Sequence, residues 1–147
     1  MPESQIPHRL AVRTVVGALG LVQLVDGLYA LLAPHSFYSD FPLGRGWVAA
    51  LPAYNEHLVR DVGGLFLATA LVLLAAAWFA ERRLVIVACA SYLLFSVPHA
   101  IYHFLNLGPY DTGDAIANAV TLAATVVLPI WVLFELRRRP PRAPATR

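Results

Sequence analysis

Two histidines stand four residues apart in the otherwise apolar stretch PHAIYHFLN, which covers residues 98–106. On a helix this spacing places His99 and His103 on the same face. Two imidazoles on one helix face can ligate a transition metal without rearrangement. They can equally be held by hydrogen bonds to neighbouring groups. The pair therefore predicts either a binding site or two locally satisfied polar side chains.

A second polar group opens the stretch YNEHLVRDVGG, residues 54–64. Glu56 and Arg60 are four apart, as are His57 and Asp61, so the spacing predicts two adjacent polar stripes on about one and a half helical turns. The first stripe has the composition of an ion pair. The second has the composition of a ligand pair, or of a histidine oriented by a carboxylate.

The composition predicts that these side chains belong to a membrane protein. The chain has 147 residues, of which 59% are hydrophobic and 14% charged, and its mean hydropathy is +0.63. A bilayer core of roughly 30 Å needs a helix of about 20 apolar residues. We predict an all-α, four-helix transmembrane bundle in one domain, residues 1–136, with a loop at 33–57. The predicted spans are about 14–32, 62–80, 84–105 and 115–134.

The arginines predict the orientation of the bundle. All eleven basic residues are Arg, and nine of them flank one end of the predicted spans, leaving only Arg45 and Arg60 at the other. The positive-inside rule then places both termini in the cytoplasm and loop 33–57 outside. Arginine without lysine, together with abundant Ala and Pro, is typical of a bacterial genome of high GC content, so we predict a bacterial inner-membrane protein.

The C-terminal segment, residues 137–147, is rich in Arg and Pro and is predicted to be a cytoplasmic tail near anionic headgroups. It lacks the interleaved aromatic residues of a nucleic-acid-binding arm, so no nucleic-acid partner is predicted. The expected partners are the lipid bilayer and, in addition, other membrane subunits or a second copy of the chain.

Helical rise predicts which polar side chains share a depth. Asp61 lies 21 residues before Arg82 and His103 lies 21 residues after it, so both are expected about 31 Å from that turn. His57 is then about one turn further out, and His99 about one turn further in.

The other two predicted helices also carry polar residues. Asn118 is expected about 28 Å from Arg137, near the level of the histidines, and Asp26 about 20 Å from Arg13. An acid inside the hydrocarbon costs about 2.5–3.5 kcal/mol, so Asp26 is expected to face the bundle interior. In that position Asp26 would either take part in the function of the protein or form a structural hydrogen bond to Gln23, Asn118 or a threonine of the fourth helix.

Three hypotheses follow from this set. In the first, His57, Asp61, His99 and His103 ligate a transition metal reached from outside. In the second, His57 with His99 or His103 binds a b-type haem, or a histidine and an acid bind a quinone beside an apolar slot. In the third, the histidines bond to loop carbonyls and to Asp61, and the protein is a structural or assembly subunit of a membrane complex.

Small residues indicate tight helix packing, with Gly64 and Ala68 predicted to form a small-xxx-small step. The stretches GLYALLAPHSFY and VRDVGGLFLATALVLL, together with the four-span layout, resemble the small bacterial membrane proteins grouped as DoxX-like. The resemblance implies a four-helix membrane protein, and some DoxX-like members are associated with redox chemistry of the bacterial envelope. It carries over no catalytic residue.

Overall fold

The computed structural model describes residue 6, residues 8–51 and residues 53–137. Within these residues the fold is entirely helical, without a strand. The helices are α1 (Arg9–Leu32), α2 (Pro34–Asp40), α3 (Glu56–Phe79), α4 (Arg82–Leu105) and α5 (Thr112–Arg137). The four long helices are long and apolar enough to cross a membrane, which confirms the predicted four-helix bundle. The predicted tail beyond Arg137 lies outside the described residues.

The helices begin earlier than the apolar runs predicted. α1 begins at Arg9 and α3 at Glu56, five and six residues before the predicted spans, because a helix continues past the first charged side chain. Asn55 fixes the start of α3, since its Oδ1 accepts a hydrogen bond from the Leu58 amide at 3.1 Å. The predicted loop 33–57 contains the short helix α2, which Pro34 opens from its first position.

Helix α1 packs most extensively against α3, and glycine makes the contact possible. A Cβ atom on Gly63 would lie 2.7 Å from the Leu31 amide nitrogen and 3.0 Å from the Gly27 carbonyl oxygen, so the two backbones touch directly. The predicted Gly64–Ala68 step is wrong, because both residues are exposed and nothing lies near Gly64. Gly63, the residue before Gly64, instead allows the close approach of α3 to α1.

The interior of the bundle divides into two halves. We call the end that carries Arg9, Arg82 and Arg137 the arginine-rich end, and the opposite end, with residues 33–55 and 106–111, the loop end. The arginine-rich half has a mainly apolar core, beside which the Glu135 side chain of α5 is also buried. It comprises Val12, Val16, Leu19, Leu73, Ala76, Val85, Ala88, Cys89, Tyr92, Val132 and Leu136, with Ile6 and Ala80 at its edge.

Three arginines each complete the C-terminal end of a neighbouring helix. The bonds are Arg13 Nε to Ala77 O (2.9 Å) for α3, Arg60 Nη1 to Leu31 O (2.5 Å) for α1, and Arg82 Nη2 to Leu136 O (3.0 Å) for α5. Carbonyls in the last turn of a helix have no partner within that helix, and the negative end of the helix dipole favours a cation there. These arginines therefore join adjacent helices at both ends of the bundle.

The glycine contact generates a prediction with a matched control. Gly63→Ala is expected to destabilise the detergent-solubilised protein by about 1–3 kcal/mol, because its Cβ meets backbone atoms that cannot move aside. Gly64→Ala adds the same atom one residue away, in open space, and is expected to be neutral or to stabilise by about 0.5–1 kcal/mol. Thermal unfolding measures both. Equal effects of the two variants would contradict the contact.

Candidate functional site

Four polar side chains lie along one face of α4. Tyr92, Ser96, His99 and His103 follow the spacing i, i+4, i+7, i+11, which keeps them on one side of the helix. Tyr92 and Ser96 are each only 1% exposed, and the two histidines are half-buried. The predicted histidine pair is thus the loop-side half of a longer polar face. The spacing of Tyr92 and Ser96 is visible in the sequence and could have revealed them.

Tyr92 brings three helices together near the middle of the bundle. Its side chain lies within hydrogen-bonding reach of Gln23 on α1 and Thr125 on α5, and close enough to Asp26 for an electrostatic interaction. Gln23 is 4% exposed, so this meeting point is shielded from the surface. This meeting point adjoins the apolar core, because Tyr92 also belongs to that core.

The same register puts Asn118 at about the depth of His99. Because α4 and α5 run in opposite directions, seven residues from Tyr92 to His99 and seven from Thr125 back to Asn118 cover the same rise, about 10 Å. Asn118 is 2% exposed and lies on the face of α5 that carries Thr125. The common depth of Asn118 and the histidines stays a prediction from helical rise, and the contact of Tyr92 with Thr125 is compatible with it.

We call this set the interior polar cluster. Its members are Gln23 and Asp26 of α1, Tyr92, Ser96, His99 and His103 of α4, and Asn118 and Thr125 of α5. Four of its buried atoms have no hydrogen-bond partner in the described part of the chain: Gln23 Oε1, Ser96 Oγ, His103 Nδ1 and Asn118 Oδ1. An unsatisfied buried polar atom costs about 1–3 kcal/mol. The cluster therefore holds donors and acceptors that a molecule from outside the chain can satisfy.

Aromatic rings continue the cluster towards α3. Phe66 of α3 contacts Phe95 edge-on, with ring centroids 5.2 Å apart, and Phe95 stacks on His99 at 5.0 Å with 24° between the planes. The His99 and His103 rings follow at 4.6 Å. Aromatic rings thus adjoin the polar atoms in the loop-side half of the bundle.

Asp26 is a carboxyl group inside a membrane span. It is half-buried, and among the described residues it makes no hydrogen bond and no ion pair, so the expected bond to Gln23, Asn118 or a threonine of α5 is not formed. An intramembrane acid without a fixed partner is free to exchange a proton with a bound molecule.

The predicted pairs at the start of α3 both form. His57 Nε2 lies 3.2 Å from Asp61 Oδ2, and Arg60 Nη2 lies 2.9 Å from Glu56 Oε1. The His57 side chain is 87% exposed, however, whereas the His99–His103 pair is half-buried.

The positions of His57, Asp61, His99 and His103 can be compared with the predicted metal site. Within residues 8–51 and 53–137, no three His, Cys, Asp or Glu side chains are grouped so that they could hold a metal ion. The structure therefore does not unite His57 and Asp61 with His99 and His103 in one ligand set.

The loop that follows α2 is tied to the start of α5. Arg45 forms an ion pair with Asp114, and the Tyr110 hydroxyl donates to the Trp47 carbonyl oxygen at 2.9 Å. Burial, with a smaller contribution from Tyr102, raises the pKa of Tyr110 above its ordinary value. The hydroxyl therefore keeps its proton at neutral pH and remains a donor in this contact.

Comparison of the chain with protein-family models, with curated proteins and with solved structures gives no match.

The Asn118 amide, whose oxygen has no hydrogen-bond partner among the described residues, generates a prediction about stability. Asn118→Leu removes a buried polar group that lacks a partner for its oxygen, so the ligand-free protein is expected to gain about 1–3 kcal/mol. Thr121→Val on the same helix is the matched control, because that hydroxyl is exposed and bonds to its own helix at Ala117 O. Thermal unfolding after extensive delipidation measures both. A loss of stability in Asn118→Leu would mean that the amide oxygen is already satisfied.

Proposed function

We propose that this membrane protein binds the head of a lipid-soluble quinone at the interior polar cluster. The observation that carries the proposal is the group of four buried polar atoms without a partner among the described residues, on three helices of a membrane bundle. Water is scarce at such depth, so a ligand that dissolves in the bilayer is the natural source of partners.

The chemistry of the cluster suits both redox forms of such a ligand. The two carbonyl oxygens of a quinone accept hydrogen bonds, which the Ser96 hydroxyl and a protonated imidazole nitrogen can donate. The two hydroxyls of a quinol donate, and the amide oxygens of Gln23 and Asn118 accept. Conversion between the forms moves two electrons and two protons. The electrons would be exchanged with a separate electron-transfer protein, and Asp26, His99 and His103 are groups that can take up or release the protons.

The surroundings of the cluster also suit a flat, lipid-soluble head. The Phe95 and His99 rings place aromatic surface beside the cluster, with which a flat ring can make stacked or edge-on contacts. The contacts of Arg45 and Trp47 with the α5 side cover the loop end, so we infer that the ligand arrives sideways from the lipid. This proposal agrees with the redox association of the DoxX-like proteins that the sequence resembles.

The geometry gives less support to haem and to metal. His99 and His103 project from one face of one helix, so they cannot ligate a haem iron from its two opposite sides. His57 is exposed at the start of α3. A metal at the histidine pair would need further ligands from outside the predicted set. A role as an assembly subunit does not account for the four buried polar atoms of the interior polar cluster that have no partner among the described residues.

We further propose that the arginine-rich end faces the cytoplasm of a bacterial cell, with the protein in the inner membrane. Among the described arginines, Arg9, Arg13, Arg82, Arg83 and Arg137 lie at that end, against Arg45 and Arg60 at the other. Arg60 is held by its bond to Leu31 O, which gives it a structural reason to lie at the loop end.

Quinone binding can be measured directly. The protein is purified in detergent without a His-tag, its organic extract is analysed for quinones, and a short-chain ubiquinone and menadione are titrated by fluorescence quenching. Ser96→Ala is expected to bind about tenfold more weakly, the loss of about one hydrogen bond. Thr69→Ala, an exposed hydroxyl bonded within α3 to Leu65 O, is expected to bind like the wild type.

Other outcomes separate the hypotheses. Failure of both quinones to bind, or unchanged binding in Ser96→Ala, would refute the proposal. A stoichiometric metal or a Soret band that disappears when His99→Ala and His103→Ala are combined would assign the histidines to a metal or haem instead.

Orientation is tested with single cysteines in a Cys89→Ala background. A membrane-impermeant maleimide added to intact cells is expected to label Gly108→Cys at the loop end, where the added side chain has open space. Glu81→Cys, exposed between α3 and α4, is expected to react only after the cells are lysed. The reverse pattern would place the arginine-rich end outside.

A further inference from the structure

A groove runs between α1 and α3 at the arginine-rich end, far from the interior polar cluster. Its volume is about 470 Å³, and its walls are formed by Leu10, Arg13, Thr14, Leu74, Ala77 and Trp78. The groove is open to the side, where a bilayer surrounds the bundle. Its apolar walls have the length of a helical turn or more and continue along the outside of the span.

Arg13 is held in place at this groove. Its Nε donates to the Ala77 carbonyl at 2.9 Å, and the two terminal nitrogens of the guanidinium make no hydrogen bond to the described residues. The backbone bond fixes the direction of a side chain that would otherwise be mobile. The guanidinium therefore presents the four N–H donors of its two terminal nitrogens, and a positive charge, from a defined position.

The other polar groups that line the groove are donors as well. Thr14 contributes a hydroxyl and Trp78 an indole N–H, and the lining contains no acid. Trp78 is 77% exposed near the end of α3, a position where tryptophan marks the membrane–water interface. The groove thus combines a positive charge and hydrogen-bond donors at headgroup depth with an apolar wall deeper in the membrane.

We propose that this groove binds one anionic phospholipid. Arg13 bonds to the headgroup phosphate through its terminal nitrogens, Thr14 and Trp78 supply further donors, and an acyl chain lies along Leu10 and Leu74. Charge complementarity selects the occupant, since a phosphate oxygen matches the guanidinium and an acyl chain matches the apolar wall. This site is independent of the proposed quinone function.

Native mass spectrometry of the full chain from mixed micelles tests the proposal. With equal amounts of phosphatidylglycerol and phosphatidylcholine, the wild type is expected to retain one phosphatidylglycerol with at least fivefold preference. Arg13→Gln is expected to abolish this preference. Arg83→Gln removes the same charge from an exposed position at the same end and is expected to keep it.

Three results would overturn the proposal. Equal loss in Arg13→Gln and Arg83→Gln would mean unspecific attraction to surface charge. Retained preference in Arg13→Gln would remove Arg13 from the site. Displacement of the lipid by millimolar inorganic phosphate would mean that the groove takes a free anion. If Arg13→Gln fails to fold, Thr14→Phe, which fills the groove and keeps the guanidinium, must lose the bound lipid as well.

Discussion

The backbone contact between α1 and α3 decides where every polar residue of α1 lies. Gly63 brings α3 against Gly27 and Leu31 so closely that no side chain separates the two helices. Small residues are needed for such an approach because association of helices in lipid depends on packing rather than on the hydrophobic effect. With α1 fixed in this way, Gln23 is held at the depth of Tyr92 and Asp26 less than one turn nearer the loop end.

The two halves of the interior have different stabilising interactions. In the arginine-rich half, aliphatic side chains fill the core, and Arg13 and Arg82 bond to the last carbonyls of α3 and α5. The loop-side half gives up part of this packing for amide, hydroxyl and imidazole groups that the chain does not fully satisfy. Such groups oppose folding unless something else binds them. The division therefore marks the loop-side half as the part of the bundle shaped by something other than stability.

The sequence predicted the spans well and the inward faces poorly, for one physical reason. Length and hydropathy identify a membrane helix, and i, i+4 spacing correctly predicted that Glu56 pairs with Arg60 and His57 with Asp61. In lipid, however, the outside of a bundle is as apolar as its inside, so periodicity does not show which side faces inward. The spacing of the small residues therefore predicted a step from Gly64 to Ala68, whereas Gly63 makes the contact.

Polar residues of moderate hydropathy were missed for a related reason. Tyr92, Ser96 and Thr125 do not interrupt an apolar run, so composition did not single them out, although Tyr92 and Ser96 share the helical spacing of the histidines. Helix α2 was missed because seven residues within a loop have no span-like pattern. The depth expected for Asn118 needs only helical rise, which is fixed by backbone geometry and does not depend on the neighbours of a side chain.

The packing also indicates which helices can adjust to a ligand. Backbone contacts hold α1 to α3, whereas Phe66 and Phe95 separate α3 from α4 with side chains that can rotate. Pro98 has no N–H to donate to the Leu94 carbonyl oxygen, so α4 lacks one hydrogen bond in the turn before His99, and a proline inside a membrane helix permits a bend at that point. The bend would move the histidines relative to Tyr92 without disturbing the apolar core. Helix α4 is thus held to α3 through side chains that can rotate, whereas α1 and α3 are held together by their backbones.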